Sequence, residues 1–148
     1  YNEASYRQAA FEIAQMQALQ LATMNHTERA TALAKDGMQY LARGLMLEAE
    51  REFQAAVQAD AANGTAHAGL AQVRERSGDT EAARNEAQTA LHLQPNVAAY
   101  LVLARLDTRA NKLSDAASEV SSALKLDPTS SAARGMRQAL EAKGQLVQ

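Results

Sequence analysis

The sequence predicts an all-α protein built as a stack of helical hairpins, and three observations carry that expectation. Residues that end helices recur at a nearly fixed interval: Gly44, Gly78, Asn111 and Gly144 are spaced by 34, 33 and 33 residues. Glycine and asparagine are the residues that accept the left-handed backbone of a helix C-terminus. Small residues keep the same register, with Ala49, Ala83 and Ala116 in one series, Ala56, Ala90 and Ala123 in a second, and Ala61, Pro95 and Pro128 in a third. Composition agrees, with abundant alanine, aromatics at 4% and only two prolines, a make-up that favours closely packed helices over strands. Self-similarity at this period marks stacked units that present a surface and do not enclose a pocket.

Taken in order, residues 1–26 form an N-terminal helix that is off register. One of its stripes holds Phe11, Ala14, Ala18, Leu21 and Ala22, and Tyr6, Ala9, Ile13 and Met16 line a neighbouring side. That apolar surface is wider than one neighbour needs. It reads either as a cap on the stack or as a contact surface, with Tyr6, Ile13 and Met16 meeting a second copy of the chain or an upstream segment. Asn25-His26-Thr27 breaks the helix, and Asn25 or Thr27 can cap the next one. Residues 27–129 then carry three units, 30–63, 64–96 and 97–129. The first pairs a helix bearing Leu33, Asp36, Gly37, Tyr40 and Leu41 with one bearing Ala49, Phe53, Ala56 and Val57. The second pairs Leu70, Ala71 and Val73 with Ala83, Ala87, Ala90, Leu91 and Leu93. The third pairs Tyr100, Leu103, Ala104 and Leu106 with Ala116, Val120, Ala123, Leu124 and Leu126. Pro95 and Pro128 stop the second helices. Residues 130–148 hold a last helix and tail, in which Ala133, Met136, Leu140 and Gly144 continue the register.

These slots resemble the tetratricopeptide repeat. In the order of that family's signature they hold Leu33, Asp36, Gly37, Tyr40, Ala49, Phe53 and Ala61 in the first unit. The second has His67, Leu70, Ala71, Arg74, Ala83, Ala87 and Pro95, and the third has Tyr100, Leu103, Ala104, Asp107, Ala116, Val120 and Pro128. The resemblance implies a right-handed superhelical stack of helix-turn-helix repeats, with Gly37, Ala71 and Ala104 facing Ala49, Ala83 and Ala116 at close crossings. Two departures matter. Asp36 stands in a slot the resemblance makes buried and apolar, which predicts a non-repeat neighbour at that face. Arg137 fills the last small-residue slot, as expected of a solvating cap with no second helix to pack on.

The bulk numbers exclude several classes. At 148 residues the chain has one domain's worth of core, and its net charge of −2 predicts neither nucleic acid nor an anionic membrane as a partner. Absence of cysteine removes disulfides, thiolate metal sites and thiol nucleophiles. No apolar run is long enough to span a membrane and no signal-peptide pattern opens the chain. The chain starts without Met and within helical sequence, which reads as a piece of a longer protein; cytoplasm and periplasm both stay open.

No catalytic constellation is expected. His26, His67 and His92 lack ligand spacing, and no nucleophile elbow, phosphate loop or His–Glu helix pair occurs. Ser121-Ser122 and Ser130-Ser131 read as exposed helix face and helix start; Asp60, Asp127 and the Glu48, Glu50, Glu52 cluster read as solvated faces. Asn25-His26-Thr27 and Asn63-Gly64-Thr65 also fit the glycosylation triplet, which turn sequences produce by chance. No metal and no cofactor are expected.

The resemblance implies a concave groove lined by the first helices, at Ala34, Lys35, Met38, Gly69, Gln72, Arg76, Leu101, Val102, Arg105 and Arg109, extended by Arg134 and Gln138. Its four arginines suit carboxylates, and Met38, Leu101 and Val102 would supply apolar anchorage. The Lys and Asn pattern with which some relatives clamp a chaperone's C-terminal carboxylate is absent, since Ala34 and Met38 stand where it would begin. The function expected is a non-catalytic scaffold binding a protein or peptide partner, an extended or helical acidic segment, in that groove. Reversing Arg105 and Arg109 to Glu is expected to abolish binding without unfolding. Two alternatives stand beside it: self-association through the N-terminal helix, including a homodimer, and a regulatory appendage of a larger enzyme.

Overall fold

The computed structural model describes residues 2–148, and among them there are eight helices and no strand. They are α1 (Glu3–Thr23), α2 (His26–Ala42), α3 (Met46–Ala59), α4 (Gly64–Arg76), α5 (Thr80–Leu93), α6 (Val97–Arg109), α7 (Leu113–Leu126) and α8 (Ser131–Ala142). Helices α2 and α3, α4 and α5, and α6 and α7 form hairpins that stack in sequence order. The result is an all-α helical-repeat solenoid, with α8 laid on α7.

The spaced turn residues close the hairpins by one repeated device. Gly44 N–H donates to Leu41 O at 3.0 Å while Leu45 N–H donates to Tyr40 O at 2.9 Å. The same pair of bonds recurs with Gly78 and Asp79, Asn111 and Lys112, and Gly144 and Gln145, satisfying carbonyls that the helix end would leave open. The three glycines have φ of 76°, 85° and 87°, and Asn111 has 59°; no other described residue has a positive φ. At the opposite ends Asn25, Asn63, Asn96 and Ser130 cap α2, α4, α6 and α8, each side chain accepting from the N–H three residues on. Both asparagines of the glycosylation triplets are therefore helix caps.

Packing rests on small side chains, with one large exception. Ala49, Ala56, Ala83, Ala87, Ala90, Ala116 and Ala123 are fully buried, and Phe53 is fully buried among them. The ring of Phe53, from α3, lies between α2 and α4. A Cβ at Gly37 would meet it at 2.6 Å, and one at Gly69 would also fall inside contact distance. One unit on, the equivalent positions are Ala87, Ala71 and Val102, all in a single core cluster. The joints thus exchange volume: a ring between two glycines in one, an alanine opposite a valine in the next.

The ends differ. Helix α1 buries none of its residues, and only Leu21 packs against the first core. At the other end the tail turns back: Val147 joins the cluster of Val120 and Leu140, and Ser121 Oγ donates to Gln148 O at 2.5 Å. The tail covers surface on α7 and α8 that a further helix would otherwise cover.

One buried polar cluster ties α5, α6 and α7. Arg84 Nη2 donates to Asp107 Oδ1 at 2.8 Å, and Asp107 in turn is hydrogen bonded to Glu119, whose Oε2 is shut off from solvent with no donor facing it. Two carboxylates in that position need a proton between them. Burial, then the hydrogen bond to Asp107 and the charge of Asp107, push the Glu119 carboxyl up to about 9, with Arg84 opposing. Burial works against ionisation of Asp107 too, but the hydrogen bonds from Glu119 and Arg84 outweigh it and hold that carboxyl below its usual range.

Phe53→Ala should cost about 3–5 kcal/mol in urea unfolding. Gly69→Val should destabilise the parent yet recover part of the loss in the Phe53→Ala background, as Val102 complements Ala87; additive effects in the double-mutant cycle would contradict the volume exchange. For Glu119 the folded pKa lies above the ordinary 4.5, so its contribution is whole below that value and is lost as pH rises to about 9. The melting temperature should fall across that window, and Glu119→Gln, neutral at every pH, should flatten the fall.

Candidate functional site

The first helices carry the side chains that the resemblance assigned to a groove, and packing sorts them into two groups. Leu101 and Val102 are 6% and 0% exposed and belong to the core, so they offer no anchorage to a ligand. Leu101 packs with Ala123 and Ala133 toward α8, and Val102 packs with Ala87 on the preceding hairpin. Ala34 and Gly69 are buried for the same reason. Helices α4 and α6 spend those slots on their neighbours in the stack, whereas Lys35, in the slot of Gly69 and Val102, is exposed on α2. The slots left open hold Met38, Gln72, Arg105 and Gln138 in one register series, and Arg76 and Arg109 in another.

Four of these converge. Gln72 and Arg76 from α4, with Arg105 and Arg109 from α6, line one cleft of about 330 Å³. Met38, Arg134 and Gln138 lie outside it; Arg134 Nε donates to Pro128 O at 2.8 Å, within its own turn. At the base of the cleft is Glu75, whose side chain is 5% exposed. It accepts from Arg105 Nε at 2.7 Å and Arg105 Nη2 at 2.8 Å, and from Arg109 Nη2 at 3.2 Å. Arg76 Nη1 leans on Leu41 O at 3.4 Å. Three guanidiniums face one carboxylate, so the cleft keeps a surplus of two positive charges. Arg105 is committed to Glu75 by a two-pronged bond, while Arg109 and Arg76 retain donors for a ligand.

Sequence reasoning passed over Glu75 because it occupies the register slot of Leu41, a core position, and nothing local marks it. The signal was its place one repeat before two arginines, where charges of opposite sign stack between consecutive units. Glu50 was likewise read as solvated, yet it accepts from Arg74 at 2.9 Å across α3 and α4. His67 is buried, with Nδ1 at 2.7 Å from Glu86 Oε2 and Nε2 at 2.9 Å from Ala61 O. Both ring nitrogens are occupied by packing partners. No group of His, Asp and Glu among the described residues is placed to hold a metal, and no helix among them is long and apolar enough to cross a membrane. On α1, Tyr6, Ile13 and Met16 are exposed.

Three capped hairpins stacked through small-residue crossings, with an open face on their first helices, are the tetratricopeptide-repeat fold. Among solved structures the chain is similar to the TPR domain of Arabidopsis OM64, with 19% identity, 80% of this chain and 99% of that one covered, and a TM-score of 0.69. It is also similar to the first TPR of Spaghetti (RPAP3) bound to the HSP90 peptide SRMEEVD, with 20% identity, 81% and 98% coverage and a TM-score of 0.70. The second TPR domain of human RPAP3, in complex with the HSP70 peptide SGPTIEEVD, matches with 20% identity, 78% and 98% coverage and a TM-score of 0.63. No protein-family model matches the chain, and no curated protein matches it significantly.

The geometry revises one expectation. Reversing Arg105 strips Glu75 of its main partner and sets a second carboxylate beside it, so this change tests the stack before it tests binding. Arg105→Glu should lower unfolding free energy by about 1–3 kcal/mol, the cost of a broken buried pair reduced for the half-open arginine. Arg109→Gln, at a side chain 62% exposed, should change it by less than about 0.5 kcal/mol. Equal losses in chemical denaturation would contradict this division.

Proposed function

We propose that the protein is a peptide-binding interaction scaffold whose first-helix face takes an extended acidic segment at the arginine cleft. The observation that carries the reading is the convergence of Gln72, Arg76, Arg105 and Arg109, from two successive repeats, on one open cleft with surplus positive charge. A repeat stack offers no enclosed chemistry but holds such donors at fixed separations, which suits an extended chain. Arg76 and Arg109 would take carboxylates, Gln72 a backbone amide, and Arg105 would be held ready by Glu75. The acidic peptides carried by two of the similar structures support an acidic ligand. The absence here of the Lys and Asn clamp pattern argues against the chaperone terminus itself as the partner.

Selection from a library of short random peptides on the intact chain tests the reading. Enriched sequences should be rich in Asp and Glu. Their affinity should drop at least about tenfold on Arg76→Gln with Arg109→Gln, the scale of two charge-assisted bonds, and should weaken steeply with salt. Enrichment without acidic bias, or affinity unmoved by the double substitution, would exclude the cleft as the site.

A further inference from the structure

A second groove, sharing no lining residue with the arginine cleft, runs between α1 and α2. Its volume is about 610 Å³; Ala14, Ala18 and Leu21 line it from α1, Asp36 and Tyr40 from α2, and Glu52 from α3. Two independent features of its walls specify what fits there.

The first is the register. The positions equivalent to Asp36 in the next two units are Leu70 and Leu103, 4% and 7% exposed. Leu70 packs with Ala49, Phe53 and Ala56 of α3, and Leu103 with Ala83, Ala87 and Ala90 of α5. In both cases this slot is where a first helix meets the hairpin before it. In α2 the same slot holds a carboxylate that is exposed, and the helix beside it stands off. Helix α1 presents Ala14, Ala18 and Leu21 at the spacing that Ala83, Ala87 and Ala90 use to bury α5, yet none of the three is buried.

The second is charge. Asp36 and Glu52 lie close enough to repel: burial first, then the charge of Asp36, raises the Glu52 carboxyl above its usual range. No described residue forms an ion pair with either one, including Arg43 on the groove wall. One wall of this slot sets Ala14, Ala18, Leu21 and Met24 between Gln17 and Gln20, and the other carries two carboxylates that Arg43, the one cation lining it, does not pair. Such a slot is complementary to a helix with an apolar stripe and a cation.

We propose that the α1–α2 groove docks an amphipathic helix of a partner protein, seating apolar side chains against Ala18 and Leu21 and a lysine or arginine between Asp36 and Glu52. A second copy of α1 does not meet that requirement. Its charged residues are Glu3, Arg7 and Glu12, Arg7 is held by Glu3 at 2.7 Å, and Ile13 to Thr23 carries no charge. The groove is independent of the arginine cleft and selects ligands of opposite sign.

The probe is a helical Leu/Lys peptide of about 18 residues, long enough to hold a helix, titrated calorimetrically into the intact chain beside its Leu/Glu counterpart. With Arg76→Gln and Arg109→Gln in place, so that the arginine cleft takes no acidic peptide, the Leu/Lys peptide should bind and the Leu/Glu peptide should not. Asp36→Asn with Glu52→Gln should weaken binding at least about tenfold while leaving the circular dichroism and melting temperature at or above the parent's, since it removes a repulsion. Two exposed acids elsewhere, Glu81→Gln with Glu141→Gln, should leave the affinity unchanged, as should Arg76→Gln with Arg109→Gln. Absence of Leu/Lys binding, equal binding of both peptides, or an equal loss in the Glu81 and Glu141 variant overturns the proposal. So does a dimer in sedimentation that Asp36→Asn with Glu52→Gln disperses, because a second copy would then occupy the groove.

Discussion

The distance between consecutive first helices is set by what lies between them, and at the first joint that is the ring of Phe53. Two glycines, one on α2 and one on α4, leave the space the ring occupies. Close packing makes such a contact nearly all-or-none, because a methyl group added to either side has nowhere to go. The later joint fills the same place with Ala87, clustered with Ala71 and Val102. Solenoid geometry therefore survives sequence variation so long as the volume summed across a joint is kept. That constraint also determines which first-helix positions are free to face solvent, and so where a ligand can bind.

Electrostatics is arranged around the same joints. Glu75 sits between α4 and α6 where two arginines of the next unit converge, and Asp107 is met by Arg84 from the preceding hairpin. In each case the buried carboxylate belongs to a first helix and its cation to an adjacent element. Such pairs do little for net stability, since desolvation offsets most of the attraction. Their effect is directional: Glu75 clamps Arg105 with two bonds and Arg109 with one, leaving further donors on Arg109 and Arg76 open, which turns a solvated basic patch into an oriented one. The Asp107 and Glu119 pair is different in kind, because a shared proton stands where a second cation would otherwise be required.

The two ends of the stack show how a repeat protein closes or stays open. At the C-terminus, α8 covers the last hairpin and the tail supplies Val147 to the core, so the apolar face is finished. At the N-terminus, α1 runs into α2 with almost no linker yet buries none of its residues, leaving Phe11, Ile13, Met16 and Leu19 in solvent. The asymmetry is in the side chains: Asp36 replaces the leucine that would draw a preceding helix tight.

The sequence by itself determined the hairpins and their stacking. Turn residues must adopt a left-handed backbone, caps must satisfy open amides, and small residues must sit at helix crossings; all three are local requirements that leave a periodic mark. The outlier at Asp36 was visible for the same reason, as a break in that period. Only the tertiary structure decided the site. Whether Leu101, Val102 or Gly69 faces a ligand or a neighbouring helix depends on how far consecutive units rotate, and the register carries no record of that angle. Glu75 was hidden for the complementary reason. Its meaning comes from Arg105 and Arg109, 30 and 34 residues away in sequence, and a charge separated that far from its partner reads as an ordinary surface residue until the fold joins them.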